Sequence, residues 1–435
     1  MNTLADRQYK KTITFNSFFV FVLYLYSACL ILPIVEAYLS AYFTLAIMLI
    51  GYLLLFLEKN KRVLNAVLLL FLLLLPFFFL DVFLIRKDSY GNFFYCLYGL
   101  LNLVFSIISI RYLVEKKQFK QIRNLAFLII VLFTITQITT IINIKANPDI
   151  ARLGVTGLLS NEELRVYSKM NIGGYSLAYL SPIITVAFYF FKSGKRKTIL
   201  FLAHVVLSFL FLISVQFTTA ILLYVFEVAS LILSRKRIRR AFIIFVLSLL
   251  LFLLLKNTIR DLFATLSETV PSKTISVRLE EVAVFLGGGK ATGDAGARLN
   301  RYLESLNMFL NHPILGGLIY GEKSGGHSSV LDYIGSFGIV GIVIAVLIIR
   351  CLYFSFFVPL KKSTNNSVFH FTFVFYFAFA FLNPALSAVS LFVTFAVSTG
   401  VACKQDFRAD NHPLFFNRIL FFNSCCSEAR LAKKK

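Results

Sequence analysis

His327 is the side chain in this sequence whose surroundings best suit acid–base chemistry. It follows Gly325 and Gly326, which let the backbone turn sharply, and it precedes a long apolar run. Ser329 and Asp332 have the spacing of a capping box, which predicts that a helix begins there. The positive end of the helix dipole disfavours a protonated ring, so a neutral His327 could accept a proton, and Asp332 is spaced to orient the ring. The alternative is a histidine that only caps the helix or hydrogen-bonds within the loop.

Two arginines lie upstream on a predicted amphipathic helix that runs from Asp294 to Asn311. An apolar stripe at spacings of three and four is formed by Leu299, Leu303, Leu306 and Leu310. Arg298 and Arg301 fall on another face. Such a helix would lie along a membrane surface, with its leucines in lipid or against a helix bundle. Guanidinium groups at headgroup height suit a phosphate or pyrophosphate ligand; the alternative is a solvated face that pairs with Glu304 or with anionic lipid.

The composition excludes a soluble protein. Of 435 residues, 58% are apolar and 15% are charged, whereas soluble domains carry about a quarter charged residues. The net charge of +23 comes from Lys and Arg in short clusters between apolar runs, where they set membrane orientation, so we expect no nucleic-acid partner. The sequence has no phosphate-binding loop, dinucleotide fingerprint, CxxC pair or metal-ligand cluster, which predicts an activity without cofactor or metal.

The apolar runs predict an all-α polytopic membrane protein with about twelve transmembrane helices, because a helix needs about 20 apolar residues to cross the hydrocarbon core. The predicted spans are 14–35, 37–57, 63–85, 91–114, 123–144, 172–191, 198–213, 215–233, 241–255, 331–357, 367–382 and 385–402. The run from 198 to 233 is too long for one span, and we divide it at the polar segment 214–219.

Alternate loops between these spans are basic, which predicts that both termini are cytoplasmic. Residues 1–435 then form a single integral membrane domain that ends in a basic cytoplasmic tail, 403–435. Two segments face outward: a smaller one, 145–171, which contains Arg152, and a larger one, 256–330. In the larger segment, a helical pattern at 276–285 precedes the amphipathic helix, and a loop of this length is uncommon unless it is functional.

Several of these residues form a pattern that resembles the O-antigen ligase/polymerase superfamily. That family has an arginine, a P-x-x-G turn and a histidine followed by Asn, Ser or Gln. Nine residues later comes a glycine, then two further residues and a small or aromatic one. The corresponding residues here are Arg298, Pro313–Gly316, His327, Ser328, Gly338 and Gly341. Asn171–Tyr175, which reads N-I-G-G-Y, resembles the Wzy-type polymerases of bacterial capsule loci, as does the layout of about twelve spans with a large late outward loop.

The resemblance implies a metal-independent glycosyltransferase with a GT-C-like fold in the bacterial plasma membrane. It would join oligosaccharide repeat units carried on undecaprenyl pyrophosphate into a surface polysaccharide. A chain-length regulator and a flippase of the same pathway are further candidate partners, besides membrane lipids. The implied roles are proton acceptor for His327, donor pyrophosphate binding for Arg298, Arg301 and Arg152, and support for Ser328, Asp332, Gly338 and Gly341.

Three other functions fit parts of the sequence. A ligase that transfers finished polymer to another acceptor would share the same motif. A flippase or transporter of lipid-linked sugar would be expected to show internal repeats and broken or charged helices in mid-membrane, and the sequence has few charges within its spans. A structural membrane scaffold would leave the pattern around His327 unexplained.

Overall fold

The computed structural model describes residues 2–58, 90–146, 160–191, 195–234, 254–269, 293–352, 367–383 and 387–402, together with scattered residues between these ranges. Within this part of the chain every regular element is helical. The α-helices are α1 Asn2–Ile31, α2 Pro33–Leu57, α3 Tyr90–Glu115, α4 Phe119–Asn143, α5 Asn161–Lys169, α6 Tyr175–Ala178, α7 Leu180–Phe191, α8 Lys195–Ser214, α9 Thr218–Ser234, α10 Lys256–Thr269, α11 Gly293–Asn311, α12 Ser329–Leu352, α13 Ser367–Leu382 and α14 Ala388–Ala402.

The chain is a helical membrane protein. Among the described residues, four helices are long and apolar enough to cross a bilayer: α2, α4, the segment Leu97–Glu115 of α3 and the segment Ser329–Arg350 of α12. Most of the remaining predicted spans coincide with shorter apolar helices. The predicted spans 63–85 and 241–255 lie largely outside the described residues.

Two helix boundaries follow directly from local sequence. Pro33 begins α2, and Leu32 is the single residue between it and the end of α1, because proline is tolerated in the first turn of a helix but not in its interior. The predicted spans 14–35 and 37–57 placed this boundary too late in the chain. The apolar run from 198 to 233 divides at Gln216, which has a φ of 58° and separates α8 from α9. The predicted division at 214–219 is therefore confirmed.

The C-terminal helix α14 lies at the centre of the bundle. It packs against α3, α4, α7 and α13, and its residues from Phe392 to Ala402 are all buried. Gly400 lets α14 approach α4 closely, since a Cβ added there would lie 2.5 Å from the Cβ of Ala126. Small residues allow this kind of close packing between membrane helices.

A buried polar cluster ties α7, α8 and α9 together. His204 Nε2 lies 3.1 Å from the Thr185 hydroxyl and 3.3 Å from the Ser208 hydroxyl. The Thr185 hydroxyl is also 2.8 Å from that of Tyr224. Glu227, one turn beyond Tyr224, is buried with no hydrogen-bond partner among the described residues. Hydrogen bonds such as those of His204 and Thr185 hold membrane helices in register.

The two segments that were predicted to face outward contain more helices than the sequence pattern predicted. Helix α5 lies in the smaller segment, where the Ser160 hydroxyl accepts the Glu163 N–H and the Glu163 carboxylate accepts the Ser160 N–H. The backbone N–H and the hydroxyl of Ser160 hold the pKa of the Glu163 carboxyl below its ordinary value. In the larger segment, α10 was not predicted, and the predicted helix 276–285 is only partly described.

Helix α11 begins one residue before the predicted helix and ends at the predicted residue, Asn311. The described part of the leucine stripe is exposed: Leu303 by 46%, Leu306 by 41% and Leu310 by 63%. On the opposite face, Ser305 and Met308 are buried, and α11 packs on α12. The helix is therefore amphipathic, with its leucines directed away from the described bundle.

Candidate functional site

Helix α12 is interrupted at Gly338, and the P-x-x-G turn, Pro313–Gly316, supplies hydrogen-bond acceptors to the backbone at the interruption. Gly338 has φ 59° and ψ −152°, which leaves the next backbone N–H groups without helical acceptors. The N–H of Ile339 donates to the Pro313 carbonyl at 2.8 Å, and the N–H of Val340 donates to the Ile314 carbonyl at 3.1 Å. Non-helical backbone at membrane depth is tolerated only where protein or water satisfies it. The turn and the glycine are therefore one structural unit.

Two further glycines of the motif are also structural. Gly316 has a φ of 77°, and its N–H donates to the His312 carbonyl at 2.9 Å. A side chain at Gly316 would collide with the Ser336 backbone in α12. The Gly341 carbonyl accepts a hydrogen bond of 3.1 Å from the Tyr333 hydroxyl. The close approach at Gly316 sets where α12 lies relative to the end of α11, whereas the bond between Tyr333 and Gly341 lies within α12.

Ser328 caps the N-terminus of α12. Its hydroxyl accepts the Leu331 N–H at 3.0 Å and donates to the Phe381 carbonyl at the end of α13. The Ser329 N–H donates to the Asn383 carbonyl at 3.2 Å. The prediction that Ser329 is the cap is therefore wrong by one residue, because Ser329 is already helical and Ser328 is the residue that anchors the helix start to α13.

Asp332 fixes the loop that carries His327. Its Oδ1 accepts the Ser305 hydroxyl at 2.5 Å and the Gly326 N–H at 3.1 Å, while its Oδ2 accepts the Ser328 N–H at 2.9 Å. Gly326 and Ser328 are the two neighbours of His327 in the chain. Asp332 therefore positions His327 through the backbone on either side of it. A role of Asp332 in orienting the ring stays a prediction.

Ser305 is the site residue that the sequence analysis missed as a candidate. It is fully buried, and its hydroxyl accepts the Gly325 N–H at 3.0 Å as well as donating to Asp332. Gly325 lies so close to α11 that a side chain there would collide with the Arg301 carbonyl. Ser305 follows Arg301 by four residues, so the two lie on one helix face. This spacing is the feature of the sequence that could have identified Ser305 as a site residue.

The structure brings Arg301 and His327 into direct contact. Arg301 Nη1 lies 2.6 Å from His327 Nε2. A guanidinium has only donors, so Nε2 is the acceptor, the ring is neutral and Nδ1 carries the ring proton. The Arg301 side chain is exposed and His327 is half-buried. The end of the bundle thus holds a neutral imidazole beside a permanent cation.

Two other arginines were predicted to bind the donor pyrophosphate, and the structure describes them less completely than it describes Arg301. Arg298 belongs to α11, about one turn before Arg301, and its side chain lies outside the described part of the structure. Arg152 lies outside the described residues.

His312 is paired with Glu322 at 3.0 Å and stacks on Tyr320. Within the described ranges, no group of three or more His, Cys, Asp or Glu side chains could hold a metal ion.

The N-I-G-G-Y segment is a structural joint between helices. The Asn171 carboxamide oxygen accepts the Ile34 N–H at 3.3 Å, and its nitrogen donates to the Thr139 hydroxyl at 2.9 Å. The Gly173 N–H donates to the Thr140 hydroxyl at 2.7 Å. These bonds hold the start of α2, the end of α4 and the segment before α6 together.

The site holds the groups that proton acceptance next to a bound anion requires, with His327 Nε2 engaged by Arg301 in this structure. A neutral imidazole on a backbone held by Asp332 and Ser305 is fixed for proton transfer, and guanidinium groups on one helix can neutralise phosphate oxygens. Comparisons with family models, with curated proteins and with solved structures find no match to this chain.

Replacing Asp332 with asparagine is expected to loosen the His327 loop. One carboxylate oxygen, which accepts a hydrogen bond, is replaced by an NH₂ group, which donates and would face an N–H or a hydroxyl. The loss of this bond lowers the stability of the loop by about 1–3 kcal/mol. Hydrogen exchange of the amides of Gly326 and Ser328 should then be about 5- to 150-fold faster, as peptide-level mass spectrometry can measure. Asp261→Asn, on the exposed face of α10, is the matched control. Unchanged exchange in the Asp332 variant would contradict the clamp.

Proposed function

We propose that this protein is a polymerase of surface polysaccharide in the bacterial plasma membrane. It joins oligosaccharide repeat units that are carried on undecaprenyl pyrophosphate, using about twelve spans in a GT-C-like arrangement with both termini in the cytoplasm. The observation that carries the proposal is the contact between His327 Nε2 and Arg301 Nη1 at the end of α12. The motif resemblance to the O-antigen ligase/polymerase superfamily supports it.

The proposed reaction needs only groups of the types present at the site. The acceptor is a terminal sugar hydroxyl of one lipid-linked repeat unit, and His327 takes its proton. The hydroxyl oxygen forms a bond to the anomeric carbon of the growing chain, and the bond from that carbon to the pyrophosphate oxygen breaks. Arg301 and Arg298 stabilise the negative charge that develops on the leaving undecaprenyl pyrophosphate. Because this leaving group supplies the driving force, no cofactor or metal is required.

The surface of α11 supports access from the lipid. Leu303, Leu306 and Leu310 are exposed on the face away from α12, which suits contact with acyl chains. The exposed Arg301 would then lie at headgroup height, where the pyrophosphate of a polyprenyl carrier is also located. A lipid-linked donor could therefore reach Arg301 without leaving the membrane.

The proposal is tested by deleting the gene in its native host. We expect long surface polysaccharide to disappear while lipid-linked single repeats still reach the outer face of the membrane, and the wild-type gene should restore long chains. If single repeats remain on the inner leaflet, the protein is a flippase. If long lipid-linked chains accumulate without transfer to their final acceptor, it is a ligase. Either result overturns the polymerase assignment.

Arg298 provides a separate test of donor binding. We expect Arg298→Ala to lower kcat/KM for the donor by about 10²–10³-fold, because a charge that stabilises the leaving group is lost. Arg298→Lys should lower kcat/KM less, since lysine keeps the positive charge. Some loss remains, because lysine lacks the bidentate guanidinium group. Steady-state kinetics with varied donor measures both, and Arg260→Ala on α10 is the control. Equal activity of the two Arg298 variants and the wild type would remove Arg298 from the donor site.

A further inference from the structure

We propose that Arg301 covers the proton-accepting nitrogen of His327 in the unloaded enzyme, and that the donor pyrophosphate uncovers it by drawing Arg301 away. The inference rests on the proposed function, because it assigns the regulation of the same site. It makes the base available only after the donor has bound.

The contact leaves the imidazole unable to act as a base. With Arg301 Nη1 at 2.6 Å, the Nε2 lone pair is engaged by a permanent donor. In this neutral tautomer the other ring nitrogen, Nδ1, already carries the ring proton. A sugar hydroxyl can therefore give its proton to Nε2 only when Arg301 has moved.

Arg301 is the partner that can move. His327 stands between Gly326 and Ser328, whose N–H groups are both bound by Asp332, and Ser328 is also tied to α13. The Arg301 side chain is exposed, and its long aliphatic stem has many rotamers. Displacement of Arg301 therefore leaves the loop intact and the imidazole in place.

A pyrophosphate is a stronger partner for Arg301 than a neutral imidazole. A guanidinium binds two phosphate oxygens at once, and the negative charge of the pyrophosphate adds an attraction that a neutral imidazole lacks. Binding of the donor thus exchanges one hydrogen bond of Arg301 for a bidentate ion pair. The donor must therefore bind first, because His327 can take the proton of the acceptor hydroxyl only in the donor-bound enzyme.

Modification of histidine by diethyl pyrocarbonate tests this exchange without catalysis, since the reagent acylates an imidazole nitrogen that has an available lone pair. The purified full-length protein is treated with and without inorganic pyrophosphate, and modification of His327 is followed by mass spectrometry. We expect pyrophosphate to accelerate modification about tenfold, the factor of one charge-assisted hydrogen bond. Arg301→Met should react at the accelerated rate without pyrophosphate. Lys323→Met, which removes a charge from a nearby exposed residue, should behave as the wild type, and His312 serves as an internal reference.

Two results would overturn the proposal: an Arg301→Met protein whose His327 reacts no faster than that of the wild type, or a wild-type His327 that pyrophosphate leaves unchanged or protects. These results are independent of the polymerase assignment. If His327 is required for chain growth but its reactivity does not respond to Arg301 or pyrophosphate, only the gating fails. If reactivity responds as expected but deletion of the gene leaves long polysaccharide intact, the proposed function fails.

Discussion

Replacing His327 with alanine is expected to lower the rate of chain elongation by the purified protein by about 10²–10⁴-fold, the usual contribution of a positioned general base. The effect should fall on kcat, because the proton is transferred in the transition state and the donor pyrophosphate is held by other residues. Initial rates of polymer formation from lipid-linked repeat units measure the loss.

The folded state of the His327→Ala protein should be close to that of the wild type. The loop is held by backbone bonds to Asp332 and Ser305, which the substitution retains. His370→Ala is the matched control, because His370 lies twelve residues before the end of α13 that meets the site, about 18 Å along the helix. A His327→Ala protein that elongates chains at the wild-type rate would contradict the role of His327 as the base.

Replacing Gly338 with alanine is expected to destabilise the protein by about 3 kcal/mol or more. Its φ of 59° and ψ of −152° lie in a region that is essentially restricted to glycine. An added Cβ would lie 2.6 Å from the carbonyl oxygens of Pro313 and Ile314, which are the acceptors for the two N–H groups after the break. The substitution therefore strains the backbone and displaces the turn that satisfies it.

A fall in the thermal midpoint in detergent, or a loss of folded protein from the membrane fraction, measures this effect. Gly99→Ala is the matched control, since Gly99 lies inside α3 and an added Cβ would meet no described atom within 4 Å apart from its chain neighbours and the nearby backbone of its own helix. Alanine favours a helix over glycine by about 1 kcal/mol, so the control should be neutral or slightly more stable. Equal midpoints for Gly338→Ala and the wild type would contradict the broken geometry of α12.

The helices could be predicted from the sequence because their signals are local. The apolar runs predicted most of the helices, and the polar segment at Gln216 predicted where α8 ends and α9 begins. The boundary between the first two helices was predicted at 35–37 but lies at Leu32, whereas the predicted bounds of α11 are correct to within one residue. Helices α5 and α10 were missed because they are short and polar, although Ser160 and Glu163 have the capping-box spacing.

The contacts within the site could not be predicted in the same way, because they join segments that are distant in the chain. The spacing placed Asp332 near His327 but could not show that its carboxylate binds Ser305 of α11 and the two amides beside His327. It also could not show that Ser328, and not Ser329, reaches the end of α13. Those choices depend on how α11, α12 and α13 pack.

The most direct test of the proposed function uses the wild-type protein in proteoliposomes, with lipid-linked single repeat units as the only sugar substrate and with a chelator present. We expect chains of increasing length without added nucleotide, and one undecaprenyl pyrophosphate released for each new glycosidic bond. Single repeats that stay the same length in the presence of folded protein would contradict it.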